Sequence, residues 1–255
     1  MSKRICQAVV LYTLLSLSSC SGSQSEDEPL VQAREKMENS SFKEAVSLLD
    51  ALLAENPRNA KALNMRGVAY FELESYGKAL SDFNAAIEQD DQDYAFFYNR
   101  GNVKRNLKQP RAAVEDYTKA LAIDSAHYEV WLNRALAYVG SGLPEKAAED
   151  FRSAANKGGA KDPQVFFYMG RLMIGMGDFQ EGLEAAKKCI SLNKNHAAGH
   201  YMMALALLGV GAPEEEACSY AQASFNMGYK PAQAFIAQYC NEDASENVEH
   251  EGHNH

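Results

Sequence analysis

Small residues recur along the chain at a nearly constant interval. One series has spacings of 34, 34, 34, 35 and 34 residues and consists of Ala33, Gly67, Gly101, Ala135, Gly170 and Ala204. Twelve residues after each lies a second series, small at five of six positions: Ala45, Ala79, Ala113, Ala147, Gly182 and Glu216. Four residues further on, mostly large apolar residues follow: Leu49, Phe83, Tyr117, Phe151, Ala186 and Tyr220.

The offsets within each period are those of α-helices. Residues three and four apart lie on one face of a helix, so each period predicts a pair of helices with facing apolar stripes. The small residues let the two helices approach closely. Large residues at Leu63, Phe97, Trp131 and Phe166 are then expected to fill the space between neighbouring pairs. The pattern predicts an all-α chain of stacked helix pairs.

This arrangement of aromatic, small and alanine positions resembles the tetratricopeptide repeat. We number the residues of each repeat so that the first series of small residues, from Ala33 to Ala204, occupies position 8. The six repeats then cover residues 26–59, 60–93, 94–127, 128–162, 163–196 and 197–230. The resemblance implies a right-handed α-solenoid of six helix hairpins. The family's proline near each repeat end appears only as Pro57, and Pro29, His200 and Glu216 occupy family positions for other residue types. The first and last repeats therefore depart most from the pattern, as is usual in such arrays.

The chain outside the regular repeats divides into short segments. The single insertion, 157–162, is rich in glycine and should end a helix. Residues 231–240 begin with proline and carry apolar side chains, which predicts a helix that caps repeat six. We therefore assign the solenoid with its cap to residues 29–240. Residues 241–255 are acidic and contain histidine, and we expect a disordered tail.

The N-terminus resembles the export signal of a bacterial lipoprotein. Lys3 and Arg4 precede an apolar run over residues 8–17, which is too short to span a bilayer and predicts a signal peptide at 1–19. Leu-Ser-Ser-Cys at 17–20 resembles a lipobox, which implies that Cys20 carries the lipid anchor. The alternative is an ordinary cleaved signal followed by an incidental cysteine.

The residues after Cys20 are small, polar and then acidic, and predict a flexible tether over residues 20–28. This stretch also resembles the acidic tag of surface-exported Bacteroidota lipoproteins, although a simple solvated linker explains it equally well. We expect an outer-membrane protein held by lipid, on a face of the membrane that the sequence does not specify.

Two charged positions vary together among the repeats. Position 7 is arginine only in the repeats whose position 23 is aspartate, which gives Arg66 with Asp82, Arg100 with Asp116, and Arg134 with Asp150. We predict that each arginine pairs with the aspartate of its own repeat. Pairing with the preceding repeat would leave Arg66 opposite Leu48. We interpret these pairs as structural.

The first helices of a tetratricopeptide solenoid line its concave face, with positions 5, 9 and 12 directed into it. The strongest candidates for a partner-binding groove are Asn64, Phe71, Tyr98, Asn102, Arg105, Phe167, Arg171 and Tyr201. Tyrosine, asparagine and arginine over an apolar floor suit an extended peptide or a partner helix. The leucines among these positions, such as Leu132 and Leu136, can equally pack between repeats. The basic residues with which some family members clamp a terminal carboxylate are missing, so we expect a ligand bound along its length.

The cysteines and histidines suggest a few further sites. Cys218 and Cys240 lie eleven residues before and after Tyr229, which is expected at the turn before the cap. In an antiparallel helix pair, these two positions lie opposite each other. In an exported protein they can form a disulfide, whereas Cys189 fills a small packing position. His196 and His200 are four apart, but His196 falls at a turn, so we predict no metal there. A weakly metal-binding cluster at His250, His253 and His255 is a further reading of the tail.

Composition, charge and the absence of known motifs reduce the number of functions that this chain can have. The chain has 255 residues, 46% hydrophobic and 23% charged, and a net charge of −9, which gives no basic footprint for a nucleic acid. We find no arrangement of catalytic residues and no phosphate or dinucleotide motif, and expect no enzyme and no cofactor. The sequence indicates an envelope scaffold that binds another protein. The alternative is a metal- or small-molecule-binding lipoprotein that serves a transporter.

Overall fold

The computed structural model describes residues 27–240, which contain thirteen α-helices, one short 3₁₀ turn and no strand. The helices are α1 (Asp27–Glu38), α2 (Phe42–Glu55), α3 (Ala60–Glu72), α4 (Tyr76–Gln89), α5 (Tyr94–Asn106), α6 (Pro110–Ile123), α7 (Tyr128–Gly140), α8 (Pro144–Asn156), α9 (Pro163–Met176), α10 (Phe179–Leu192), α11 (Ala197–Gly209), α12 (Glu214–Asn226) and α13 (Ala232–Tyr239). The predicted all-α solenoid is confirmed. The predicted signal peptide, Cys20, most of the predicted tether and the histidine-containing tail lie outside the described residues.

Each repeat is one helix pair, from α1 and α2 to α11 and α12, and α13 packs on α12. Every helix packs against the next in the chain, and contacts between first helices join α1 to α3, α3 to α5, α5 to α7 and α9 to α11. Contacts are therefore between neighbours, which is the organisation of a solenoid. Among residues 27–240, no helix combines the length and the apolar character needed to cross a bilayer.

The period of 34 residues comes from close contact between the two helices of a repeat. A Cβ atom added to Gly67 would lie 2.7 Å from the Phe83 ring, and one added to Gly101 would lie 2.7 Å from the Tyr117 ring. Phe83, Tyr117 and Phe151 are almost completely buried. A small residue at position 8 is thus required by the large ring at position 24 of the same repeat.

Two boundaries differ in detail from the sequence expectation. Helix α1 begins at Asp27, two residues before the assigned start of the solenoid at residue 29, and an acidic residue such as Glu28 is favourable in a first helical turn. The insertion after α8 does end that helix, but it also forms the 3₁₀ turn Gly159–Lys161. Gly158 has a φ of 125° there, a conformation that favours glycine. Asp162 then caps α9 by accepting a hydrogen bond from the Gln164 N–H.

The turn inside each hairpin contains a residue in the left-handed conformation. Ser40, Glu74 and Lys108 have φ values of 57°, 55° and 60° in the first three repeats. Glycine occupies the equivalent position 15 in the last three, where Gly142, for example, has a φ of 72°. The later repeats therefore use the residue that this turn prefers, and the earlier ones do not.

We expect Lys108→Gly to stabilise the protein by about 0.5 kcal/mol, because relief of left-handed strain slightly exceeds the entropy that glycine loses on folding. The reciprocal change Gly142→Lys should cost about 1 kcal/mol, although a Cβ atom there would meet nothing within 4 Å. Urea unfolding of the two variants measures both values. A destabilised Lys108→Gly variant would contradict this account of the turn.

Candidate functional site

The candidate site is the inner face, which we define as the surface carried by positions 5, 9 and 12 of α3, α5, α7, α9 and α11. Of the eight candidate residues on it, Arg105 and Arg171 are exposed and the other six are half-buried. The first helices hold these side chains on one surface because α3 packs on α5, α5 on α7 and α9 on α11. The face is therefore built from consecutive repeats rather than from a loop.

Hydrogen bonds cross from one first helix to the next in the first half of this face. Asn99 donates to Asn64 Oδ1 at 2.9 Å, and Asn133 donates to the Tyr98 hydroxyl at 2.9 Å. Within repeat three, the Tyr117 hydroxyl donates to Asn102 Oδ1 at 2.7 Å. An asparagine amide has two donors and an acceptor with two lone pairs, so one such bond leaves capacity for a peptide backbone. This half of the face is polar and ordered by its own contacts.

Sequence reasoning did not identify Asn99 and Asn133, which occupy position 6. The signal was present, because asparagine recurs at this position in two consecutive repeats. Position 6 was not among the positions assigned to the groove, since it is one residue away from position 5 on the helix. In the structure it reaches back to position 5 of the preceding repeat.

The aromatic candidates are partly occupied by neighbouring rings. The Phe71 ring lies 5.8 Å from that of Tyr76. Phe167 lies 5.0 Å from the His196 ring. Tyr201 lies 5.5 Å from Tyr229 and 6.2 Å from Phe235 of α13, and burial raises the pKa of its hydroxyl. Tyr201 is therefore shared between the inner face and the cap, whereas Phe167 stays closer to the middle of the face.

Two recesses lie between first helices on the inner face. The N-terminal recess, between α3 and α5, has a volume of about 120 Å³ and is lined by Val68, Phe71, Glu72, Phe83, Asn99 and Asn102. The C-terminal recess, between α7 and α9, has a volume of about 290 Å³ and is lined by Leu136, Val139, Pro144, Phe151, Tyr168, Arg171, Leu172, Gly175 and Met176. The first is small and half polar, and the second is larger and mainly apolar.

The two arginines of the inner face have different surroundings. Arg105 influences the pKa of the buried Tyr117 hydroxyl. Burial raises this pKa, and the charge and hydrogen bonding of Arg105 oppose the rise. The Arg171 guanidinium carbon lies 5.9 Å and 5.8 Å from the ring centroids of Phe167 and Tyr168. Among residues 28–240, no carboxylate lies within ion-pair distance of Arg171.

The position 7 arginines are bound to protein groups instead. Arg66 Nε and Nη2 donate to the carboxylate of Asp82 at 2.8 Å and 2.7 Å, and Arg100 and Arg134 bind Asp116 and Asp150 in the same two-point manner. All three aspartates are buried. Burial disfavours the charge of Arg134, but the hydrogen bond and the charge of Asp150 together raise the pKa of Arg134 above its ordinary value.

Each of these arginines also reaches the preceding repeat, a contact that sequence reasoning missed. Nη1 of Arg66, Arg100 and Arg134 donates to Asp50, Asn84 and Thr118, respectively, at position 25. A polar acceptor at that position in three consecutive repeats was the available signal. The arginines therefore join neighbouring repeats and are not available to a ligand.

The structure joins Cys218 of α12 to Cys240 after α13 by a disulfide, with Cα atoms 5.6 Å apart. The bond fixes the end of the cap to the last repeat. Cys189 is buried, and burial raises the pKa of its thiol to about 11. At that pKa the thiolate is scarce at neutral pH, so Cys189 acts as a packing residue.

Backbone groups hold the rings of His196 and His200. His196 precedes α11 and its Nδ1 accepts from the Gly199 N–H at 2.9 Å, while His200 Nε2 contacts the Lys194 carbonyl at 2.9 Å. Within the described part of the chain, no group of three or more potential metal ligands comes together. His250, His253 and His255 lie outside it.

Comparison with known proteins finds the same repeat. The tetratricopeptide repeat model matches residues 30–94 and 98–164, which is more than half of the chain. No curated protein matches. The structure of Pseudomonas aeruginosa pilF is similar, with a TM-score of 0.74, 17% identity and coverage of 84% of this chain and 97% of that one.

Two further structures are similar at the level of the fold. A repeat-containing protein from Cytophaga hutchinsonii has a TM-score of 0.69 at 18% identity, over 84% of this chain and 89% of its own. YrrB, described as having an unusual peptide-binding site, has a TM-score of 0.65 at 17% identity, over 74% and 97%. At these identities the likeness extends to the fold alone.

Proposed function

Because this chain belongs to the tetratricopeptide repeat family, we propose that it is a non-enzymatic scaffold that binds a partner protein on its inner face. The observation that carries the proposal is the composition of that face. Its first half presents asparagine and tyrosine side chains in an inter-helix hydrogen-bond network, and its second half presents an apolar recess beside an arginine. An extended peptide needs both kinds of contact, namely partners for its backbone and pockets for its side chains.

Photocrosslinking in intact cells tests this function. A photoreactive residue at Tyr98 or Phe167, on the inner face, should capture a protein partner. The same residue at the exposed Lys119 and Lys187, on second helices, should capture much less. Capture from the second helices without capture from the inner face would show that the groove assignment is wrong.

We further propose that the scaffold is held on the bacterial outer membrane by lipid on Cys20, where it serves a complex with another envelope protein. The support is the apolar run over residues 8–17 and the Leu-Ser-Ser-Cys sequence at 17–20. Several acyl chains on one residue suffice for stable anchoring, since each buried methylene contributes about 0.8 kcal/mol.

We expect Cys20→Ser to abolish incorporation of radiolabelled palmitate and to leave the protein in precursor form. The reason is that the lipid is attached through the cysteine thiol, which serine lacks. Labelling followed by electrophoresis of membrane fractions measures both effects, with Cys6→Ser as the matched control. Undiminished palmitate labelling of Cys20→Ser would contradict the proposed anchor.

A further inference from the structure

The C-terminal recess is more than twice as large as the N-terminal recess, although the two are equivalent places in the repeat array. Their volumes are about 290 Å³ and about 120 Å³. Glu72, Asn99 and Asn102 make the smaller recess polar, whereas apolar side chains dominate the larger one. A recess of that size and character accommodates one large apolar side chain.

Gly175 is one of the residues that line this recess. It lies within α9, where glycine costs about 1 kcal/mol relative to alanine, so helix stability alone does not favour it. A Cβ atom added there would meet nothing within 4 Å, so packing does not require glycine either. Because Gly175 lines the recess and open space lies beside it, a larger side chain at this position has room to occupy the recess.

The rim of the recess exposes apolar surface and one cation. Val139 is 40% exposed and Met176 is 43% exposed, which are high values for large apolar side chains. Arg171 also lines the recess, and its guanidinium carbon lies about 6 Å from two aromatic rings. No acidic residue is among the residues that line the recess. In a chain with a net charge of −9, this is a local site for a ligand carboxylate.

We propose that the C-terminal recess holds a large apolar side chain of the bound peptide and that Arg171 pairs with a carboxylate adjacent to it. The ligand class is therefore a peptide with neighbouring apolar and acidic groups. The carboxylate belongs to an acidic side chain, because a peptide bound along its length presents side chains rather than a chain end to Arg171. This inference rests on the proposed function, because it assigns part of the same inner face.

Short peptide probes test the proposal on the intact protein. Binding is followed by NMR of the ¹³C-labelled methionine methyl groups, in which the Met176 signal is assigned with Met176→Leu. The probes are acetyl-Phe-Glu-amide, acetyl-Phe-Gln-amide, acetyl-Ala-Glu-amide and acetyl-Phe with a free carboxylate. We expect acetyl-Phe-Glu-amide to shift the Met176 signal. Loss of the ring should weaken binding about tenfold, and loss of the charge about fivefold.

Two variants with a matched control locate the probe. Gly175→Leu should reduce binding of acetyl-Phe-Glu-amide by more than about tenfold, because the leucine fills the recess. Gly77→Leu is the control, since Gly77 also lies in a helix, on α4, with nothing within 4 Å of an added Cβ atom. Arg171→Gln should remove the preference for acetyl-Phe-Glu-amide over acetyl-Phe-Gln-amide. Both leucine variants should fold, because leucine is a better helix former than glycine.

The outcomes separate this proposal from the scaffold function. Equal binding of the glutamate and glutamine probes, or unchanged binding by Gly175→Leu, overturns the recess assignment. Tighter binding of decanoate than of every peptide probe overturns the peptide class. If Tyr98 crosslinks to a partner whose capture Gly175→Leu does not reduce, the recess assignment fails and the scaffold function stands. Tighter binding of acetyl-Phe with a free carboxylate than of acetyl-Phe-Glu-amide overturns the assignment of the charge to a side chain.

Discussion

Replacing Asp150 with leucine should destabilise the protein by about 3 kcal/mol, because it leaves the charge of Arg134 without a carboxylate in a largely buried site. The side chains of Arg134 and Asp150 are only 14% and 6% exposed, and their two-point contact has distances of 2.7 Å and 2.9 Å. Leucine occupies the same position in repeat one, as Leu48, so the change introduces a residue that the repeat accommodates. Urea unfolding measures the loss.

The double variant Arg134→Met and Asp150→Leu should recover most of that stability and lie within about 1 kcal/mol of the parent protein. Repeat five has methionine, Met169, at position 7, which is the position of Arg134 in repeat four. The coupling free energy from the complete double-mutant cycle should therefore be about 2 kcal/mol or more. If the double variant were less stable than Asp150→Leu alone, the pair would not be the structural unit described here.

Loss of the Cys218–Cys240 disulfide should open the cap without unfolding the rest of the solenoid. Helix α13 has eight residues, too few to be stable by itself, and the bond closes a sequence separation of 22. In the chain-entropy account such a bond contributes about 3 kcal/mol. We expect amide exchange over residues 232–239 to accelerate about 100-fold in the double variant Cys218→Ser and Cys240→Ser.

Hydrogen exchange with mass spectrometry localises that effect. The parent protein treated with a dithiol reductant should behave like the double serine variant, and reoxidation should restore slow exchange. Peptides from α3 to α8 serve as the internal control and should not change. Slow exchange of residues 232–239 in the absence of the bond would contradict its role. So would free thiols at both positions in protein isolated from the envelope.

The fold and the ion pairs were predictable because both leave a periodic signal. The middle repeats bury a ring, such as Phe83 or Tyr117, against a small residue of the same repeat, so the requirement recurs every 34 residues. Arg134 and Asp150 appear together in one repeat and disappear together in the next, which reveals a contact that neither residue shows alone. The symmetrical spacing of the two cysteines about Tyr229 likewise favoured the bond between them.

The recesses could not be predicted from the sequence, because they depend on small differences between equivalent positions. Gly175 looks like an ordinary glycine near a helix end, and its effect is visible only when the volume beside it is known. Asn99 and Asn133 were missed for a related reason. Their partners, Asn64 and Tyr98, are in the preceding repeats. The spacing of residues along one helix does not give the distance to a side chain on another helix.

The row of arginine–aspartate pairs ends at Arg134, just before the insertion and the 3₁₀ turn. The charged contact between repeats four and five is made instead by Arg152, which binds Glu181 through two hydrogen bonds at the surface. Energetic coupling along the array is therefore uneven, and an array of this kind need not melt in a single cooperative step. The sole tryptophan, Trp131, lies beside Arg134 on the near side of this junction. The fluorescence of Trp131 therefore follows the unfolding of repeats one to four. Calorimetry is needed to detect the unfolding of repeats five and six with the cap.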